Sequence, residues 1–164
     1  MDMRQVLLLK YGVVTKMAWA KNGTPDTLTG VADHMDITDL SAVKSVIFLS
    51  HVIGSGQTEP LHRFNNDTAN NYAYRYSSDG GADGTGVNSA FWFTYTAANN
   101  NDNFVVKYVI NISAEEKLGI LHAVGANTAG AGTAPARREF AVKWANTSSQ
   151  ITEIDVDNNG TGDF

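Results

Sequence analysis

The clearest structural pattern in the chain is the stretch Phe104-Val105-Val106-Lys107-Tyr108-Val109-Ile110-Asn111-Ile112. Counted in steps of two, one set of side chains is wholly apolar and consists of Phe104, Val106, Tyr108, Ile110 and Ile112. The alternate set is Val105, Lys107, Val109 and Asn111. Because consecutive side chains of a strand point to opposite faces, this alternation predicts a half-buried β-strand.

Similar short segments recur along the chain, separated by Asn, Asp and Gly residues that tolerate positive φ. The candidate strands are Val13–Ala20, Met35–Leu40, Lys44–Ile53, Leu61–Asn65, Asn71–Ser77, Val87–Thr96, Phe104–Ile112, Leu118–Val124, Arg137–Ala145 and Gln150–Val156. Helical pattern is confined to residues 1–11 and to one turn near Ala114. About ten short strands without intervening helices predict an all-β, antiparallel β-sandwich of jelly-roll type. We expect an N-terminal arm over residues 1–11 and a single domain over residues 12–164.

The composition excludes several classes of function. The 164 residues include 15 Asn and 15 Thr, and only 18% of the residues are charged. The net charge is −5 and no basic stripe occurs, so the sequence disfavours binding to nucleic acid. The absence of cysteine removes disulfides, thiolate zinc sites, iron–sulfur clusters and thiol nucleophiles. No segment approaches the roughly twenty apolar residues that span a bilayer, so the sequence predicts a soluble protein with no membrane partner.

Three segments, in order, carry a resemblance to a known group of proteins. They are Ile37-Thr38-Asp39-Leu40, then Leu61-His62-Arg63-Phe64-Asn65-Asn66-Asp67-Thr68 with Asn70-Asn71-Tyr72, and finally Trp144-Ala145-Asn146-Thr147-Ser148 with Ile151-Thr152-Glu153-Ile154. This order resembles a β-sandwich pattern of tailed-bacteriophage structural proteins, especially capsid decoration and tail-fibre modules, over residues 35–164. One departure is Asp39, which stands where the pattern usually has Gly.

The resemblance implies a non-enzymatic viral structural protein located in the virion. It implies a cement or decoration protein of the capsid surface, or part of a tail or fibre appendage, with the major capsid protein or tail proteins as partners. The residues themselves also offer no catalytic site: no Gly-x-Ser-x-Gly elbow occurs, and the adjacent Glu115 and Glu116 point apart on an extended chain. We therefore expect no enzymatic activity and no catalytic residues.

The segment Asp155-Val156-Asp157-Asn158-Asn159-Gly160-Thr161-Gly162-Asp163 carries the spacing of an acidic calcium loop. Oxygen ligands at its first, third, fifth and ninth positions, with Gly at the sixth, match how such loops fold around a hard cation. Asp155, Asp157, Asn159 and Asp163 are therefore candidate calcium ligands, and calcium is the one candidate cofactor. The alternative interpretation is a β-turn after the last strand, with Asn159-Gly160 at its corner.

The four histidines do not show the spacing of a helical zinc site. His51 and His122 are flanked by apolar residues, so we expect them to pack or hydrogen-bond within the sandwich. His62, beside Arg63, is a candidate surface or interface residue.

The aromatic residues allow two interpretations. Large rings on both faces of Phe91-Trp92-Phe93 predict a strand that is buried on both sides, which favours association. We therefore predict self-association, with interface candidates Val6, Leu7, Leu8, Leu9, Phe91, Phe93 and Tyr95. The resemblance to virion proteins implies a homotrimer, because jelly rolls in virions commonly associate about threefold axes. The alternative function is a carbohydrate-binding, lectin-like module for host-surface glycans, whose sugar platform would be built from Trp19, Trp92, Trp144, Tyr72, Tyr74 and Tyr76.

Overall fold

The computed structural model of the chain describes residues 20–28, 32–53, 59–93, 102–126, 130–159 and 164. The described residues form ten strands: β1 (His34–Ile37), β2 (Ser45–Ile53), β3 (Pro60–Phe64), β4 (Tyr72–Ser78), β5 (Gly84–Ser89), β6 (Trp92–Phe93), β7 (Asp102–Ile110), β8 (Lys117–Gly125), β9 (Ala136–Trp144) and β10 (Ile154–Asn158). Among the described residues there is no helix, and hence none that could cross a membrane. The predicted arm and most of the predicted strand Val13–Ala20 lie outside the described residues, and Ala20 itself is not in a strand.

Every strand pair is antiparallel, and the strands form two sheets. The four-stranded sheet has the order β1-β10-β3-β6, and the six-stranded sheet has the order β2-β7-β8-β9-β4-β5. In a jelly roll the first strand pairs with the last, and the second pairs with the strand before the last. Here β1 pairs with β10, while β2 pairs with β7, which opens the meander β7-β8-β9 that ends beside β4. The predicted jelly-roll-like β-sandwich is thus confirmed, with one strand position expanded into three.

An aromatic cluster fills the space between the sheets. Trp92, Trp144, Tyr72 and Phe64 are each at most 1% exposed, and the Phe64 and Trp92 ring centroids lie 4.7 Å apart. Aliphatic side chains from the inner faces of β2, β7 and β8 complete this core, notably Val46, Val105, Val109 and Leu121. Burial of large rings is among the strongest contributions to the stability of a small sandwich.

Two tyrosines explain why β5 is rich in glycine. The Tyr74 and Tyr76 rings lie over Gly86 and Gly84, so that a Cβ atom at these glycines would stand 2.3 Å and 2.5 Å from the rings. Only glycine allows the rings to approach the backbone so closely, and the rings in turn shield the β5 backbone from solvent.

Asparagine side chains replace strand pairing near the C-terminal segment. The buried Asn111 accepts a hydrogen bond from the Ile151 amide at 2.6 Å and donates one to the Ile151 carbonyl at 3.1 Å. Asn65, which has a φ of 51°, accepts hydrogen bonds from the amides of Thr152 and Glu153. The predicted strand Gln150–Val156 therefore begins only at Ile154, because side chains satisfy the preceding backbone.

The predicted strand Val87–Thr96 was wrong as a single element. It divides into β5 and β6, which belong to different sheets. Asn88 adopts a φ of 50°, and the Ser89 hydroxyl donates to the Phe91 carbonyl at 2.6 Å, so the chain turns between the two strands. The Ala90 carbonyl accepts a hydrogen bond from Arg63 and holds this corner against β3.

Candidate interaction surface

Three neighbouring strands of the six-stranded sheet direct apolar side chains away from the core. On β2, β7 and β8 the inward positions are buried, and the alternate positions face outward. The outward apolar side chains, named here the apolar face, are Ile47, Leu49, Ile53, Phe104, Val106, Tyr108, Ile110, Leu118, Ile120 and Val124.

The strand register arranges these side chains in rows across the sheet. Ile47 lies opposite Tyr108, which lies opposite Ile120; the next row has Leu49 opposite Val106. Eight side chains of the face keep between 43% and 66% of their surface exposed. At roughly 180 Å² for a large side chain, they present an apolar area on the order of 700 Å². This exceeds the patch of about 300–600 Å² that is the largest on a typical monomer, and larger patches mark interaction sites.

Charge is confined to the borders of the apolar face. The outward side of β9, the next strand, carries Arg137 3.8 Å from Glu139, measured from nitrogen to carboxylate oxygen. On the same strand Lys143 lies 3.3 Å from the carboxylate of Glu116. An apolar centre with a polar rim of both signs is the usual anatomy of a protein interface.

The sequences of these strands fit the same interpretation. Strands that are exposed on one side alternate between apolar and polar residues, whereas strands buried on both sides read as nearly continuous apolar runs. The run Val46-Ile47-Phe48-Leu49 in β2 is of the second kind, as is Leu118 to Val124 in β8 apart from Gly119 and His122. These strands are therefore suited to being covered on their outer side as well.

The inner side of β7 holds an unusual polar pair. Lys107 is 1% exposed, and its Nζ lies 2.6 Å from Nδ1 of His62, whose ring stacks on Trp92. Burial lowers the pKa of Lys107 to about 7. Burial, and secondly the charge of Lys107, lowers the pKa of His62 well below its ordinary value. The pair lies inside the sandwich, beside an open cleft of about 1040 Å³ along the edge strands β1 and β2, whose lining includes Lys107, Phe48 and Val156.

The outer side of the four-stranded sheet is charged, in contrast to the apolar face. We name it the charged face, and it comprises His34, Asp36, Asp155, Asp157 and Arg63. Asp157 forms an ion pair with Arg63 and a hydrogen bond with His34, whose Nδ1 lies 2.7 Å from the Asp157 carboxylate. That hydrogen bond raises the pKa of His34. The Asp155 carboxylate accepts a hydrogen bond from the Asn66 amide, and burial raises its pKa to about 6.

The candidate calcium ligands lie on this charged face or follow it. Asp155 and Asp157 are in β10, and Asn159 comes after its end and donates a hydrogen bond to the Glu59 carboxylate at 2.9 Å. Asp163 lies outside the described residues. In the described parts of the chain no three acidic or histidine side chains come together closely enough to hold a metal ion. Calcium binding at the four residues stays a prediction.

The interface residues predicted from the sequence are placed only in part. Phe91 is half-buried, and the backbone of Phe93 pairs with Leu61 in the four-stranded sheet. Tyr95 and the stretch Val6, Leu7, Leu8 and Leu9 lie outside the described residues. The homotrimer, and the use of these residues in it, stay predictions.

The aromatic residues considered for a sugar platform lie in the core. Trp92, Trp144 and Tyr72 are buried, and Tyr74 and Tyr76 pack against the core cluster. Trp19 lies outside the described residues. The five described aromatics therefore belong to the core or pack against it, and a glycan site would need other side chains.

The histidine predictions were reversed. His51 and His122 are exposed and lie on the outer side of the sheet among the residues of the apolar face, whereas His62 is fully buried. Apolar neighbours on either side of a histidine do not bury it when those neighbours belong to the inner face, which is the opposite side of the strand. The apolar face itself was missed, although the nearly continuous apolar runs of β2 and β8 signal it.

Comparisons with known proteins add no relative to this picture: no family model, no curated protein and no solved structure matches the chain.

Proposed function

We propose that the chain is a non-enzymatic structural subunit of a tailed-phage particle, which decorates or cements the capsid or forms part of a tail or fibre. The observation that carries this proposal is the apolar face, which spans three strands of a jelly-roll sandwich without a charged residue at its centre. The resemblance of residues 35–164 to phage decoration and fibre modules supports the same assignment.

The chemistry of the apolar face suits assembly. Burial of apolar area stabilises a contact by about 25 cal/mol for each Å², without any directional chemistry. A decoration or cement protein works in this way, because each contact across neighbouring subunits adds to the stability of the particle.

Co-sedimentation tests the proposal. Capsids and tails are prepared separately from virions of the phage that encodes this chain. Purified chain is mixed with each preparation, and each mixture is sedimented. We expect the chain to pellet with one of the two fractions, and that fraction distinguishes capsid decoration from a tail or fibre role. A chain that stays in the supernatant with both fractions, and is absent from the virions themselves, would contradict the proposal.

Variants sharpen this test. Leu49→Lys combined with Ile120→Lys places two charges on the apolar face, and we expect this variant to remain in the supernatant. Val87→Lys is the matched control, since Val87 is 71% exposed but lies on β5, four strands away from β7. The control is expected to pellet as the unchanged chain does.

A further inference from the structure

We propose that a second copy of this chain docks on the apolar face, so that two six-stranded sheets pack face to face about a two-fold axis centred on β7. This inference rests on the proposed function and names the occupant of the apolar face: copies of the chain contact one another through it, and the assembled pair is the unit that binds the particle. The order β2-β7-β8 puts β7 at the middle of the apolar strands. A two-fold axis along β7 then lays β2 of one copy over β8 of the other.

The area of the face is appropriate for such a contact. A stable interface buries about 800 Å² on each partner, and the eight exposed side chains of the face supply an apolar area of that order before any rim residue is counted. Two sheets in a sandwich commonly pack with their side chains interdigitated, and rows rich in Ile, Leu and Val side chains are of the kind that do so.

The distribution of charge favours a second copy over an acidic or basic partner. The net charge of −5 resides elsewhere on the chain, and the ionisable side chains that the structure describes within the face are the histidines His51 and His122, not carboxylates or ammonium groups that would select a partner of opposite sign. In the two-fold arrangement the charged strand β9 falls beyond the edge strand β2 of the other copy. Arg137, Glu139 and Lys143 therefore stay at the wet rim and are not buried under apolar side chains.

Light scattering and sedimentation velocity on the full chain test the stoichiometry. We expect a mass of two chains at micromolar concentration, in place of the three chains predicted from the sequence. The variant Leu49→Lys with Ile120→Lys should raise the dissociation constant at least about 100-fold, because two central apolar anchors are lost, whereas Val87→Lys should change it less than about threefold. Circular dichroism of the monomeric variant checks that it is folded. A chain that is still monomeric at 100 micromolar would overturn the proposal, because a specific weak contact has a dissociation constant below roughly that concentration. A mass of three chains would overturn the two-fold geometry.

Cross-linking tests the axis itself, and the cysteine-free sequence makes it unambiguous. Facing sheets lie about 10 Å apart, which exceeds the roughly 7 Å between Cα atoms that a disulfide can span, so a short bismaleimide is required. Val106 lies at the middle of β7 beside Leu49, and we expect Val106→Cys to give a covalent dimer. Val87→Cys lies about 19 Å from β7 at the usual spacing of strands and should give none.

The outcome is distinguishable from that of the co-sedimentation experiment. A chain that pellets with capsids or tails but is monomeric and not cross-linked leaves the proposed function standing and overturns the second copy. A dimer that cross-links through Val106→Cys but binds no particle supports the second copy and contradicts the virion role.

Discussion

The outer faces of the two sheets differ in how completely their side chains are satisfied within one chain. On the charged face, Asp157 is paired with both Arg63 and His34, and Asp155 accepts a backbone hydrogen bond. On the apolar face, Leu49 is 66% exposed and Ile120 is 54% exposed, and their neighbours on that face are apolar side chains and the imidazoles of His51 and His122. Partners within the chain stabilise Asp157 on the first face, although Oδ1 of Asp155 is buried there without a hydrogen-bond partner among the described residues. Covering the second face lowers its free energy. The apolar face is therefore the side on which we expect a contact.

The largest expected effect on stability is the difference between substituting an inward and an outward residue of the same strand, β8. Leu121 on β8 faces the core and is 1% exposed, whereas its neighbour Ile120 faces outward. We expect Leu121→Ala to lower the free energy of unfolding by about 3 kcal/mol, and Ile120→Ala to lower it by less than about 1 kcal/mol in dilute solution. Urea unfolding at low protein concentration measures both. Equal costs for the two variants would mean that the apolar face is not an outer surface.

The next effect concerns Lys107, on the inner side of β7. Its pKa of about 7 in the folded chain lies below the ordinary value of about 10.4, so the unfolded chain binds a proton that the folded chain releases. Stability should therefore rise with pH between these values, by about 2 kcal/mol from pH 7 to pH 9. We expect urea unfolding to show this rise and Lys107→Met to abolish it. A variant with the same pH dependence as the unchanged chain would show that Lys107 is not the group responsible.

A smaller effect is expected on the charged face at Asp155. Burial raises the pKa of this carboxyl to about 6, so the folded chain holds a proton that the unfolded chain loses between about pH 4 and pH 6. The contribution of Asp155 to stability is then present at pH 4 and is lost as the pH rises to 6 and above. We expect Asp155→Asn to increase the free energy of unfolding by about 1 kcal/mol at pH 7, and by nothing measurable at pH 4. A loss of stability at pH 7 would refute this account of Asp155.

Calcium should have the least influence on stability. Because Arg63 and His34 already occupy both carboxylate oxygens of Asp157, and the Asn66 amide occupies one oxygen of Asp155, we expect the same melting midpoint in EDTA and in millimolar calcium. A bound ion at a hundredfold excess over its dissociation constant would add about 2.7 kcal/mol. A clear rise of the midpoint in calcium, lost in Asp157→Asn, would establish the predicted site and make the charged face a metal-binding surface.

Much of the fold follows from the sequence because turns and alternation are local signals. Eight of the ten candidate strands overlap a single observed strand, and the segment Val87–Thr96 failed only because Asn88 and Ser89 bend the chain within an apolar run. The pairing of β2 with β7 involves residues far apart in the chain, and no local pattern specifies it.

The candidate surface was harder to find for a physical reason. In the stretch of residues 104–112, the wholly apolar set would ordinarily be taken as the core side. The structure instead buries the set that contains Lys107 and Asn111, because each of these finds a partner inside: His62 for the first, and the backbone of Ile151 for the second. Those partners come from other parts of the chain, so alternation identified the two faces of the strand but not which one is buried.

Whether the apolar face is covered when the chain is assembled can be measured by the rate of cysteine labelling. Ile120→Cys and Val87→Cys place single thiols on the apolar face and on β5, both at exposed positions of the isolated chain. We expect equal rates of maleimide labelling in dilute solution. Once the chain is concentrated or bound to particles, the rate for Ile120→Cys should be at least about tenfold lower than that for Val87→Cys, which corresponds to about 1.4 kcal/mol of protection. Equal labelling of the two positions under every condition would contradict an assembly role for the apolar face.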